Sequence, residues 1–278
     1  MNNTFNLHRF NLLLKRQWLE FGKVYLMTLG VVLVILLCFY AMNLSSIEEH
    51  IKSNNANYTL RFREPLFTLL GLLFISIAAT TYFTHLGNKA KAIGDILTPA
   101  SVLEKYLTGV FYTTIVPILS YVLIFYLVDF IFIKANFSSY TDVDSVYVKG
   151  KYVKKTIEKN DWLFFNYNAL SHSYFNYVAS ACSVFSLVVT SIFLAGSIYF
   201  NRFQYIKTIV SVSIFIGMLT LVYFQTVSFF FDDKVLINPN QSHNNSGEFY
   251  MYILIAAMMA IALFFYVLGY IRYKEKEV

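Results

Sequence analysis

Charged side chains are what this chain has least of. Asp, Glu, Lys and Arg make up 14% of its 278 residues, whereas a soluble domain carries roughly a quarter, so no separate water-soluble catalytic domain fits within it. Proline is scarce too, with 4 residues, and long stretches run without a helix breaker. The two cysteines, Cys38 and Cys182, both fall inside apolar stretches, which favours inert packing residues over a disulfide framework or a metal pair. Chemical constellations are missing as well. The five histidines, His8, His50, His85, His172 and His243, are scattered without ligand spacing, and there is no phosphate-binding G-x-x-x-x-G-K-[ST] loop and no serine-nucleophile elbow. Catalysis needs convergent acids, bases, nucleophiles or metal ligands. The expectation is therefore a protein that is no enzyme, with no catalytic residue, no cofactor and no metal site of its own.

What the chain has in abundance is apolar surface: 57% hydrophobic residues, with Phe (28) and Tyr (22) making up most of the excess. Six apolar stretches, at about 24–42, 65–84, 107–133, 178–200, 206–230 and 250–271, are each long enough to cross a hydrocarbon core of ~30 Å as a helix, which needs about 20 residues. They carry almost no ionisable group at mid-membrane depth. The fold expected is all-α: a single six-helix transmembrane domain over 1–278. The first stretch follows a polar and basic segment and has no small-residue cleavage site after it, the pattern of an uncleaved signal anchor.

Alternate connections differ in charge. One set holds Arg9, Lys15, Arg16, Lys23, Lys89, Lys91, Lys105, Arg202, Lys207, Arg272, Lys274 and Lys276; the other holds Lys52, Arg61, Arg63 and Lys234, plus six lysines in the long connection at 134–177. Positive residues in short loops near span ends govern orientation, while long loops cross regardless of charge. Both termini are thus expected in the cytoplasm. The formal charge of +6 is an orientation signal with some attraction to anionic lipid headgroups, and needs no nucleic acid to explain it.

Residues 5–22 place Leu7, Phe10, Leu14, Trp18 and Phe21 on one helical face, with Arg9, Lys15, Arg16 and Glu20 opposite. That pattern predicts an amphipathic helix in the headgroup plane, either a plain anchor or a docking surface for a partner below the membrane. Between spans two and three, Gly94 and Asp95 break the chain, and a helix can start with Thr98 as cap and Pro99 in its first turn. Ser101 and Glu104 offer a second, capping-box start. A rigid cytoplasmic elbow or an ordinary helical turn both fit. In the long outer connection between spans three and four, β-rich runs flank Lys149-Gly150-Lys151 and suggest a small hairpin. Asp161 to Phe165 then reads as an aromatic segment returning to the interface. That connection can cover the helices or form a binding domain. Asn-x-Ser/Thr triplets at Asn43, Asn57, Asn136, Asn240 and Asn244 read as chance in an Asn-rich chain rather than as glycan acceptors.

Within the spans, Asp129 is the one candidate for a proton relay. It lies ~33 Å beyond Leu107 at 1.5 Å per residue, which favours an interfacial aspartate. Ser183, Ser186, Thr190 and Ser197 share a face of the fourth span, and Ala256 with Ala260 forms a small-xxx-small pair in the sixth. Close helix packing is favoured over a substrate path for both. Pro117 removes a backbone donor inside the third span and predicts a kink, a hinge or merely a shape.

The order of these parts resembles the membrane subunit of a type-2 ATP-binding-cassette (ABC) transporter, and Ile96-Leu97-Thr98-Pro99-Ala100-Ser101 with Glu104-Lys105-Tyr106 looks like the elbow of small stand-alone bacterial permeases. The resemblance implies that Arg9, Lys15, Arg16 and Trp18 belong to a connecting helix. It implies that Asp95, Thr98, Pro99, Ser101, Glu104 and Lys105 belong to a coupling elbow. It further implies a separate ABC ATPase subunit that alone hydrolyses ATP, a second permease chain as homodimer or heterodimer, a bacterial inner membrane, and export as the direction. The long connection after span three departs from larger members, whose outer bulk lies between spans five and six. A non-transporting membrane scaffold or assembly factor is the alternative that the same features would serve.

Overall fold

The computed structural model describes residues 5–44, 62–84, 97–136, 144–148, 151–155, 163–165, 175–231 and 246–277. Among them, six helices are long and apolar enough to cross a membrane, and each falls on one of the stretches expected from hydropathy. The first, α1, runs unbroken over Leu7–Met42. At 1.5 Å per residue its 36 residues reach ~54 Å, well beyond a ~30 Å core. The sequence predicts an in-plane helix at 5–22 and then a separate span; the structure has one continuous helix instead. The physical reason lies at Gly22, the one potential breaker at the junction. The Trp18 indole lies 3.3 Å from where its Cβ would be, and extending an existing helix costs far less than starting a second one.

The second helix, α2, spans Arg63–Tyr82. The third span is built from α3 (Val102–Val110), a π-helical turn (Phe111–Ile115) and α4 (Val116–Asn136). The π turn sits just ahead of Pro117, whose ring would clash with the carbonyl four residues back and which offers no N–H to it. A wider turn relieves that conflict. Thr113 Oγ1 donates to the Gly109 carbonyl at 2.8 Å, and the Tyr25 hydroxyl reaches the Val116 carbonyl (3.3 Å) and Ser120 Oγ, so side-chain hydroxyls bond backbone carbonyls on either side of the π turn. Next come the strands β1 (Asp144–Val148) and β2 (Lys151–Lys155), which pair antiparallel with Val146 opposite Val153 and Tyr147 opposite Tyr152. The remaining helices are α5 (Phe175–Tyr199), α6 (Gln204–Phe231) and α7 (Ser246–Glu277). A short turn joins α5 to α6, where Phe203 takes a left-handed φ of 53°, an uncommon conformation for a bulky residue.

The chain divides into two compact units, Met1–Leu13 with Ser76–Thr114 and Ser183–Val278, and Leu14–Ile75 with Ile115–Cys182. In the first, close approach depends on glycine. A Cβ on Gly109 would collide with the Phe83 ring, one on Gly196 with Thr208, and one on Gly269 would lie 2.9 Å from the Tyr106 hydroxyl. Buried hydroxyls add cross-helix bonds of the kind favoured in lipid. The Tyr266 hydroxyl bonds Thr114 (2.8 Å) and Thr190 (3.0 Å), and the Tyr106 hydroxyl donates to the Tyr266 carbonyl at 2.7 Å. In the second unit, Tyr25, Val32, Leu36 and Tyr40 form the buried stripe of α1. The Tyr121 ring there fills the space over Gly71, 2.7 Å from where its Cβ would be.

Three packing expectations come out differently. Cys38 and Cys182 are both exposed, on apolar helix surface and not in a core. Ala256 and Ala260 are exposed as well, and the close approach of α7 is made further along the helix, at Gly269. Of the hydroxylated face on α5, Thr190 and Ser197 are buried but Ser183 is exposed.

Candidate functional site

Two charged clusters stand out. The first lies in the unit that holds the start of α1, and it is built around the helix start at Val102. Of the two starts readable in the sequence, the chain takes the second. Ser101 is the N-cap, its side chain accepts from the Glu104 amide at 3.3 Å, and the Glu104 carboxylate accepts from the Ser101 amide at 2.9 Å. Such a box meets two of the N–H groups a helix start leaves without partners. Glu104 does more than cap. Its other oxygen accepts from the Asn6 amide at 2.7 Å and from the Arg9 guanidinium at 3.0 Å, and the side chain is fully buried while Arg9 is one-third exposed. One carboxylate therefore ties the beginning of α1 to the beginning of α3.

The remaining elbow residues divide by exposure. Thr98 and Lys105 are buried, Pro99 is exposed, and the apolar side chains facing outward are Leu97 and Leu103. Asp95 lies outside the described residues. On α1, Arg9 is bonded to the elbow through Glu104. Lys15 and Trp18 are exposed, and Arg16 pairs with Glu20 one turn on, at 3.1 Å with both side chains exposed, a contact of small energetic weight.

The second cluster lies wholly in the other unit, and the sequence hid it. Asp129 is buried inside the protein: it and Arg63 are each 1% exposed, and their ion pair measures 2.9 Å. Asp129 Oδ1 also accepts from the Tyr40 hydroxyl at 2.8 Å, and Oδ2 accepts from the Phe164 amide at 2.7 Å. The Arg63 guanidinium lies 5.8 Å from the centroid of the Phe164 ring. That ring packs against Phe67 (5.2 Å) and Phe125 (5.1 Å). Arg63 opens α2, so its position at a helix start reads in the sequence as a loop charge. Only folding reveals that it shares a depth with Asp129. The available signal was weak: an arginine just before span two and an aspartate near the far end of span three, opposite in sign and similar in distance from the same ends.

The class these features define is a polytopic helical membrane protein with two buried carboxylates, each held by an arginine and by at least one backbone amide. No family model, curated protein or solved structure matches the chain. Among the described residues, no group of three or more His, Cys, Asp and Glu side chains is arranged to hold a metal ion.

Proposed function

We propose that this chain is the membrane-spanning subunit of an ATP-driven transporter of the type-2 ABC class, most simply an exporter, paired with a second permease chain and powered by a separate ATPase. Both termini then face the cytoplasm of a bacterium, as the short-loop charge bias suggests. The observation that carries the reading is the Glu104 joint. A subunit driven from outside the membrane needs a stiff connection at the point where force enters, and a buried carboxylate with three donors from two segments supplies one. The six apolar helices and the length of α1 beyond a hydrocarbon core support the same reading. The surface left for an ATPase is the apolar edge of Leu97, Pro99 and Leu103. Glu104, facing inward, acts through the joint instead.

The test is biochemical. The chain purified alone should hydrolyse no ATP, should bring a soluble ATPase with it from its native host in gentle detergent, and should stimulate that ATPase on reconstitution. Arg9→Gln should lower the stimulation severalfold at equal membrane expression. Repeated isolation without an ATPase would favour the scaffold reading.

A further inference from the structure

The proposed transport role makes no use of the Arg63–Asp129 cluster, yet this is the most completely buried charge pair among the described residues. We propose that Asp129 and Arg63 form a releasable latch for the connection between the third and fourth spans, and that Leu163–Phe165 is the strap it grips.

The grip is local and directional. Leu163 and Phe164 are buried, and Phe164 meets the pair twice, through its amide on Asp129 Oδ2 and through its ring beside the guanidinium. Phe165 adds an edge-on contact to Phe67 at 6.0 Å and a tilted one to Tyr126 at 6.2 Å. An aromatic anchor alone would hold such a segment without charge, and buried ion pairs are often no better for stability than apolar groups of the same volume. What the pair adds is a second state. When the strap leaves, Asp129 loses one of its three bonds and keeps Arg63 and Tyr40, so neither charge is left alone. The Phe164 amide passes to water, and among the described residues opening gives up that hydrogen bond, the burial of Leu163 and Phe164, and the ring contacts of Phe164 and Phe165. An element held that way opens as a unit while the helices beneath it keep their structure.

Thiol protection tests this in the full chain. In a Cys38→Ser, Cys182→Ser background, Leu163→Cys places one thiol at a buried position of the strap itself, and its rate of reaction with a small maleimide is read in purified, detergent-solubilised protein. The expected result is slow labelling in that parent relative to the denatured chain. Asp129→Asn, which sets an amide donor or a weaker acceptor against the Phe164 N–H, should speed labelling about tenfold, the scale on which a hydrogen bond to a charged group shifts an equilibrium. Arg63→Gln with Asp129→Asn buries no unpaired charge and should give the same acceleration; it decides the case if the single variant is not monodisperse. A parent thiol that reacts as fast as in the denatured chain overturns the strap. Equal rates in the parent and the folded variants overturn the latch.

Discussion

At the scale of single residues, the buried carboxylates separate two kinds of contribution. Ser101 and Glu104 share a reciprocal cap, but they are not equivalent, because only Glu104 also accepts from Asn6 and Arg9. Ser101→Ala should therefore cost about 1 kcal/mol, the ordinary value of an N-cap. Glu104→Ala strands several donors around a vacated acceptor and should cost about 2 kcal/mol or more. Thermal unfolding in detergent, followed by loss of monodispersity, ranks the two; equal losses would mean that the joint to α1 contributes nothing. The sequence made the cap legible, since Ser-x-x-Glu before an apolar run has a local mechanism. Arg9 was legible only as one basic residue on an amphipathic face, because the contact it makes spans 95 positions in the chain.

At the scale of elements, lipid removes the usual hydrophobic drive between helices, and close packing takes its place. Glycines with a neighbour against them should then respond differently from those without. Gly109→Ala and Gly196→Ala each drive a methyl into a packed side chain, and about 1–3 kcal/mol is the expected loss for such overpacking. Gly30→Ala and Gly217→Ala meet nothing within 4 Å and should be neutral or stabilising by up to about 1 kcal/mol through helix propensity alone. Melting temperatures of the four variants in one detergent check the ordering, and a destabilising Gly217→Ala would point to a second chain packed on α6. None of these assignments could be read from the small-residue pattern. Ala256 and Ala260 have the right spacing and lie exposed, because spacing places residues on a face without saying which face turns inward. Pro117 was informative in the opposite way: its missing N–H is a local property, and a π turn ends two residues before it.

At the scale of the whole molecule, the proposed orientation rests on lysine and arginine in short loops. A cytoplasm-active reporter fused after Val278 should function, and cysteines introduced at Asn55 or Lys151 in a cysteine-free background should react with an impermeant reagent applied to intact cells. Labelling of both positions only after lysis would reverse the orientation. It would also remove the elbow from the side on which an ATPase could meet it.

The positions of the six helices long and apolar enough to cross a membrane among the described residues were determined by the sequence alone, since a run of about 20 apolar residues must close its own backbone hydrogen bonds in hydrocarbon. The sequence also offered the capping box at the start of α3, whose partners are three residues apart, as one of two possible starts, and the structure takes it. Only the tertiary structure decided that α1 continues without a break, that Arg63 closes on Asp129 and Tyr40, and that Phe164 joins them. The difference is one of range. Hydropathy and capping act between neighbours in the chain, whereas a buried ion pair between positions 63 and 129 depends on two helices meeting at one depth, and nothing local to either residue records that meeting.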